Sequence, residues 1–118
     1  MKILEHKMVD ILADLKKNHN VIGIKAEFEA EGTRIEEAMR LKEIVSCAGL
    51  PLTIKIGGCE ALKDMYDARA IGVSGIVAPM IESAFACRKF LSALGIVFPK
   101  DERADIKVFI NVETITAY

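Results

Sequence analysis

The sequence lacks a run of about eighteen or more apolar residues, which is the length that a membrane-spanning helix needs. Its 118 residues are 52% hydrophobic, a composition typical of a globular chain, and they are too few for two ordinary domains. The stretch Met1–Lys7 contains an acidic residue and no uninterrupted apolar segment, unlike a secretory signal. We therefore expect a cytoplasmic protein without a membrane partner.

An excess of charge of either sign is also lacking. Sixteen basic residues nearly balance seventeen acidic residues, and the formal net charge is −1. Proteins that bind nucleic acid or anionic membrane surfaces usually carry a basic excess. The composition therefore predicts neither partner.

Histidine and cysteine are scarce. His6 and His19, the only histidines, lie in or beside a predicted opening helix over Ile3–Lys17, so a His-based metal cluster or a Ser-His-Asp triad is unsupported. Three cysteines are an odd number without Cys-x-x-Cys spacing, which indicates reduced packing residues. They are Cys47, Cys59 and Cys87. Cys59 could be a nucleophile at a helix start, but no nearby base is evident, so packing is the favoured interpretation.

Short apolar runs alternate with longer segments of helical period. The runs are Val21–Phe28, Leu52–Ile56, Ser74–Ala78 and Val108–Val112. With the last run counted from Lys107, successive runs start 22 to 33 residues apart. This is the spacing expected when a unit of strand, loop, helix and loop is repeated. This pattern predicts an α/β fold built from parallel β/α units.

Helices are predicted between these runs. After the opening helix, they cover Thr33–Ala48, Cys59–Ile71 and Ser83–Val97. Thr33 and Glu36 have the spacing of a capping box at the start of the second helix. The charged stretch Pro99–Asp105 is predicted to be a solvated loop.

Polar residues share one face of three runs. Successive side chains in a strand point to opposite faces, and Lys25, Glu27, Lys55, Asn111 and Glu113 all fall on one parity near carboxyl ends. The other parity of the first two runs carries Ile22, Ile24, Ala26, Phe28, Leu52, Ile54 and Ile56. Burying a charged side chain costs free energy unless it is paired or belongs to a binding site. Parallel β/α folds bind their ligands at the carboxyl ends of the strands. We expect a site there.

Plainer interpretations stay open for each feature. Lys25, Glu27 and Lys55 could form a structural ion-pair network, and Glu113 alone could be a surface carboxylate at an edge strand. The Gly57-Gly58-Cys59 stretch before a helix could offer backbone N–H groups to a phosphate. It lacks the P-loop and Gly-x-Gly-x-x-Gly patterns, so a simple turn is the favoured interpretation.

Three segments resemble the HpcH/HpaI aldolase/citrate lyase family. They are Lys55-Ile56-Gly57, Val77-Ala78-Pro79-Met80-Ile81-Glu82-Ser83 and Asn111-Val112-Glu113-Thr114. The resemblance runs from Val21 onward and implies a (β/α)8 TIM barrel, of which residues 1–118 are about half. It also implies a metal-dependent carbon–carbon lyase that acts on a 2-oxo acid or acyl substrate through an enolate.

The resemblance implies roles for individual residues. Glu113 matches the family's metal-ligand glutamate, with Mg²⁺ or Mn²⁺ as the divalent cofactor. Lys55 stands where an arginine commonly neutralises the substrate carboxylate or enolate, so it is the expected catalytic residue. Asn111 replaces a glutamine, and Lys25 and Glu27 occupy a strand end that carries Asp and His in the aldolase branch. These three are expected to bind substrate.

A second departure concerns the other metal ligand of the family. This ligand is an aspartate on the strand after the one ending at Glu113, and the chain has no such strand. A hard cation usually takes further ligands, and a complete barrel takes about 250 residues, so we expect a fragment of a lyase that could be inactive alone. The full-length parent is expected to be a homo-oligomer. The alternative is a non-catalytic β/α domain that binds a small anion or self-associates.

Overall fold

The computed structural model describes residues 1–117, which form alternating helices and strands. The helices are α1 (Ile3–Asn18), α2 (Ile35–Cys47), α3 (Leu62–Ile71), α4 (Ala84–Val97) and α5 (Lys100–Arg103). The strands are β1 (Ile24–Glu27), β2 (Leu52–Lys55), β3 (Gly75–Ala78) and β4 (Lys107–Ile110). A 3₁₀ turn over Ile115–Ala117 follows.

The strands form one parallel sheet in the order β1-β2-β3-β4. Across its centre, Ala26 is paired with Ile54, Ile54 with Ile76 and Ile76 with Val108. A helix of ten or more residues connects each strand to the next, as parallel pairing requires. The predicted α/β class with parallel strands is confirmed.

The hydrophobic core lies between one face of this sheet and a layer of helices. In that layer α1 packs against α2, α2 against α3 and α3 against α4. Ile54 and Ile76 are 0% exposed and meet Met65 and Phe90 from the helices. The predicted apolar parity of the first two strands is confirmed, except at Ile22. That residue is 88% exposed because β1 begins two residues later.

The opposite face of the sheet is only partly exposed. It carries alternate residues of each strand, such as Lys25, Lys55 and Phe109, and Phe109 is 46% exposed. Val77 is buried but lies outside the core cluster, as expected for a side chain on this second face. The chain therefore presents two different sheet surfaces, an apolar one packed against the helices and a mixed one that is exposed mainly at the outer strands.

Two local predictions were wrong. The predicted capping box at Thr33 and Glu36 does not form, because Arg34 is the N-cap of α2. Only half of a box is present there: the Glu37 carboxylate accepts a hydrogen bond from the Arg34 backbone N–H at 3.1 Å, whereas the Arg34 guanidinium cannot accept one. Because residues 36 and 37 are both glutamates, the sequence alone does not show which of them accepts the hydrogen bond at the start of the helix. The stretch Pro99–Asp105 contains α5 instead of being only a loop. Arg69 of α3 holds this helix by donating two hydrogen bonds to Glu102, at 2.8 and 2.9 Å.

The cysteines differ in environment, and all three are free thiols. Cys59 and Cys87 are half-buried against the core, which confirms the packing interpretation for them. Cys59 lies in the turn before α3, since that helix begins at Leu62. Cys47 at the end of α2 is exposed, so it is not a packing residue. None of the helices that the structure describes has the length and hydrophobicity to cross a membrane.

Candidate functional site

A pocket lies at the carboxyl edge of the parallel sheet. Three of the predicted site residues line it: Glu27 at the end of β1, Lys55 at the end of β2 and Glu113 after β4. The other lining residues are Glu29, Ala30, Ile56, Gly57, Pro79 and Met80. Its volume of about 140 Å³ suits a small molecule, since pockets for drug-sized ligands reach about 300–1,000 Å³.

Strand pairing brings the first two of these residues together. Glu27 and Lys55 are register partners across β1 and β2, with side chains on the same face. Hydrogen bonds continue beyond the strand ends, because the Phe28 N–H donates to the Lys55 carbonyl at 3.1 Å. The Ile56 N–H likewise donates to the Val77 carbonyl at 3.0 Å. The backbone around the pocket is therefore fixed by the sheet.

Glu27 lies between two lysines. Lys25 Nζ donates to Glu27 Oε1 at 2.7 Å, and Lys55 Nζ is 3.6 Å from the same oxygen. The Glu27 side chain is 12% exposed and that of Lys55 is 20% exposed. The hydrogen bond from Lys25 and the charges of both lysines lower the pKa of the Glu27 carboxyl group below its ordinary 4.5. The ion-pair network considered from the sequence is present, and it forms one wall of the pocket.

Asn111 and Glu113 form a second polar pair. Asn111 Nδ2 donates to Glu113 Oε1 at 3.0 Å. The Asn111 backbone is held on both sides, since its N–H donates to the Ala78 carbonyl at 2.9 Å and its carbonyl accepts from the Ile81 N–H at 3.0 Å. β4 ends at Ile110, so Glu113 lies in the following loop and not in the strand that was predicted to reach Val112. Asn111 therefore orients Glu113 from a fixed position.

Sequence reasoning missed three residues at the pocket. Glu29 lines it and shares the parity of Glu27, which was an available signal. Asp64 in the first turn of α3 accepts a hydrogen bond from the Gly57 N–H at 2.8 Å. A Cβ atom at Gly57 would lie 3.1 Å from Glu29 Oε2 and 3.2 Å from Asp64 Oδ2, so only glycine fits there without a shift. Because this N–H is already engaged, the structure favours the turn interpretation of Gly57-Gly58.

The third missed residue is Met80, which lines the pocket in an unusual backbone conformation. Its φ is +47°, in the left-handed region that non-glycine residues rarely adopt. Backbone strain of this kind is often retained near functional sites, where the surrounding structure holds it. Here Pro79 is buried on one side, and on the other the Ile81 N–H donates a hydrogen bond to the Asn111 carbonyl. No sequence pattern predicted this conformation.

The charges at this edge do not balance. Three carboxylates, Glu27, Glu29 and Glu113, line the pocket together with the single ammonium group of Lys55, while Lys25 pairs with Glu27 from outside the lining. Within residues 1–117, no three His, Cys, Asp or Glu side chains lie close enough together to hold a metal ion. Mg²⁺ often takes one or two carboxylates and completes its shell with water and substrate. Glu29 and Glu113 are the pocket carboxylates that make no ion pair with either lysine in the part of the chain that the structure describes.

The fold and the pocket together define a parallel α/β chain with a polar site at the carboxyl edge of its sheet. No protein-family model matches the sequence, and neither a curated protein nor a solved structure matches it.

Proposed function

We propose that this chain belongs to a metal-dependent carbon–carbon lyase that acts on a 2-oxo acid or acyl substrate through an enolate. The observation that carries this proposal is the meeting of Glu27, Lys55 and Glu113 at one pocket. These residues come from different strand ends, and parallel β/α enzymes assemble their active sites in this way. The sequence resemblance supplies the reaction class.

We also propose that the sheet and its helices are about half of a (β/α)8 barrel. Strands in chain order with neighbouring helices packed in one layer support this architecture. Doubly wound sheets instead reverse their strand order and place helices on both faces. The second face would then be the inside of the barrel.

The charge of the pocket supports dependence on a metal. An anionic 2-oxo acid would be repelled by the excess of carboxylates unless a cation bound first. Glu113 would hold Mg²⁺ or Mn²⁺, and the bound ion would act as a Lewis acid toward the oxo group. Asn111 fixes one Glu113 oxygen through its amide, which keeps the other oxygen available.

Lys55 is the residue proposed to act on the substrate directly. Its ammonium group would stabilise the substrate carboxylate or the negative charge that develops on the enolate. Glu27 and Lys25 would position it, because Glu27 lies 3.6 Å from Lys55 and is itself held by Lys25 at 2.7 Å. Lysine offers a single charged group and not a bidentate fork, so substrate orientation depends on these neighbours.

Calorimetric titration of the purified chain tests the proposal. Mg²⁺ and Mn²⁺ are added with and without pyruvate or oxaloacetate, while circular dichroism reports folding. We expect oxo-acid binding to require the metal, and Glu113→Gln to weaken metal binding about tenfold or more. Glu43→Gln, the same chemical change at an exposed position on α2, is the matched control and should bind as the unmodified chain does.

The alternative function predicts a different result from the same titration. A domain that binds small anions would take up pyruvate without a metal, and Glu113→Gln would strengthen that binding by removing a negative charge. Metal binding that is unchanged in Glu113→Gln would refute the proposed ligand. The cytoplasmic location stays a prediction.

A further inference from the structure

We infer that two copies of this chain assemble around a two-fold axis, with β4 of each copy pairing in parallel with β1 of the other. This inference rests on the proposed half-barrel architecture and not on the proposed lyase reaction. It is carried by two sets of unpartnered surfaces, one on the sheet edges and one on the helix layer.

The sheet edges are the first set. Among residues 1–117, β1 pairs only with β2 and β4 pairs only with β3. Val108, Phe109 and Ile110 of β4 are 41–46% exposed, and an exposed apolar edge strand templates pairing with another chain. Both edges belong to strands that run in the same direction, so β4 can continue into β1 of a second copy without reversing. Two copies of the described residues then supply eight parallel strands, enough to close a small barrel.

The ends of the helix layer are the second set. At one end, α1 packs against α2 and exposes Ile3, Leu4 and Ile11. At the other end, α4 and β4 border a groove of about 230 Å³. Its lining residues are Leu91, Leu94, Phe98, Arg103, Ile106 and Val108. An apolar stripe and an apolar groove thus lie at opposite ends of one layer, where a second copy can join them.

The chain order indicates how the stripe meets the groove. Within one copy, α2 lies in the chain between β1 and β2 and precedes the strand it helps to cover. In the assembly, α1 of the second copy would take the equivalent place between β4 and its own β1. Lys7 and Asp10 are both exposed beside the apolar stripe of α1, and Arg103 lines the groove, so Asp10 is the carboxylate placed to pair with the Arg103 guanidinium.

The assembly would also bring both pockets to one end of the barrel, because all eight strands would run in the same direction. The loop that carries Asn111 and Glu113 follows β4, and β4 would adjoin β1 of the second copy. Glu113 would then lie at the same edge as Lys25 and Glu27 of the second copy. Each assembled pair would contain two equivalent pockets, each lined by one chain and bordered by the first strand of the other.

Sedimentation equilibrium of the purified chain tests the inference. At concentrations up to about 100 µM, which would fill a complex with a micromolar Kd, we expect a mass twice the 13.0 kDa of one chain. A mass of 13.0 kDa at every concentration would overturn the inference. So would a mass that keeps growing with concentration, because edges that pair without closing give open assemblies.

Charged variants locate the interface. Ile11 and Leu91 are 60% and 53% exposed in the single chain, so Ile11→Glu and Leu91→Lys should preserve the fold by circular dichroism. Each should raise the dimer dissociation constant about tenfold or more. An equal mixture of the two variants should regain the dimer mass. In the mixed dimer, one of the two interfaces contains neither substitution, and the other brings the two introduced opposite charges together. Tyr66→Glu, on α3 in the middle of the layer, is the control. Single variants that stay dimeric would place the interface elsewhere and overturn the inference.

Discussion

Gly75→Ala should destabilise the protein through a steric clash on the second face of the sheet. Gly75 begins β3 and is the register partner of Thr53 in β2. A Cβ atom at this position would lie 2.7 Å from Thr53 Oγ1 and 3.3 Å from Thr53 Cγ2. Because Thr is branched at Cβ, its side chain cannot move away without leaving a preferred rotamer. The backbone must shift, or Thr53 must adopt a poorer conformation.

The expected loss of stability follows from this overlap. Forcing an extra methyl group into a packed position costs about 1–3 kcal/mol. Replacing glycine returns about 0.4–1 kcal/mol by reducing the entropy of the unfolded chain. We expect a net loss of about 1–2 kcal/mol. With an unfolding entropy of about 2.1 cal/mol/K per residue over 118 residues, the melting temperature should fall by about 4–8 °C.

Thermal and urea unfolding, followed by circular dichroism at one fixed chain concentration, measure this loss. Gly58→Ala is the matched control, since no atom lies within 4 Å of its added Cβ, and it should be neutral or slightly stabilising. Thr53→Ala removes both clashing atoms, so the double variant should be more stable than the sum of the single changes predicts. Equal stability of the two glycine variants, or strict additivity with Thr53→Ala, would refute the proposed contact.

Three further predictions concern the core, a helix end and the pocket. Ile54→Ala should lower the free energy of unfolding by about 2–5 kcal/mol because Ile54 is fully buried. Ile22→Ala, at an exposed position, should change it by less than about 0.5 kcal/mol. Similar urea midpoints for the two variants would contradict the assigned core. Gly72→Ala should lower the free energy of unfolding by about 1 kcal/mol relative to Gly58→Ala, because Gly72 ends α3 with a φ of +79°. Equal unfolding midpoints of these two variants would count against this backbone conformation. The lowered pKa of Glu27 should stabilise the folded chain above about pH 4.5, and this stabilisation should be lost as the pH falls through the folded pKa. In urea unfolding at several pH values, Glu27→Gln should therefore reduce the dependence of the unfolding free energy on pH in the acid range. An unchanged pH slope in the Gln variant would refute the contribution.

Periodicity in the sequence predicted the regular elements well. Alternating apolar residues located β2, and helical spacing located α1 and α4 to within one or two residues. These patterns are readable because the period of a strand or helix is a local property of the backbone. The shared parity of Lys25, Glu27 and Lys55 was likewise a local signal, and these side chains lie on one face as predicted.

Element ends and single contacts were less predictable. β1 is shorter than its apolar run, and α5 forms where a loop was expected. Its Glu102 pairs with Arg69, which lies 33 positions earlier in the chain. The hydrogen bond from Gly57 to Asp64 depends in the same way on how α3 packs. A sequence pattern cannot specify such contacts, since each depends on the placement of a second element.

The sequence by itself determined the α/β class, the order of helices and strands, and which side chains point away from the core. Only the tertiary structure decided that Glu27, Lys55 and Glu113 line one pocket, that Asn111 orients Glu113, and that Met80 takes a left-handed conformation beside them. The physical reason is the range of the interactions. Local periodicity fixes the direction of a side chain, whereas sheet register and helix packing join residues that are distant in the chain.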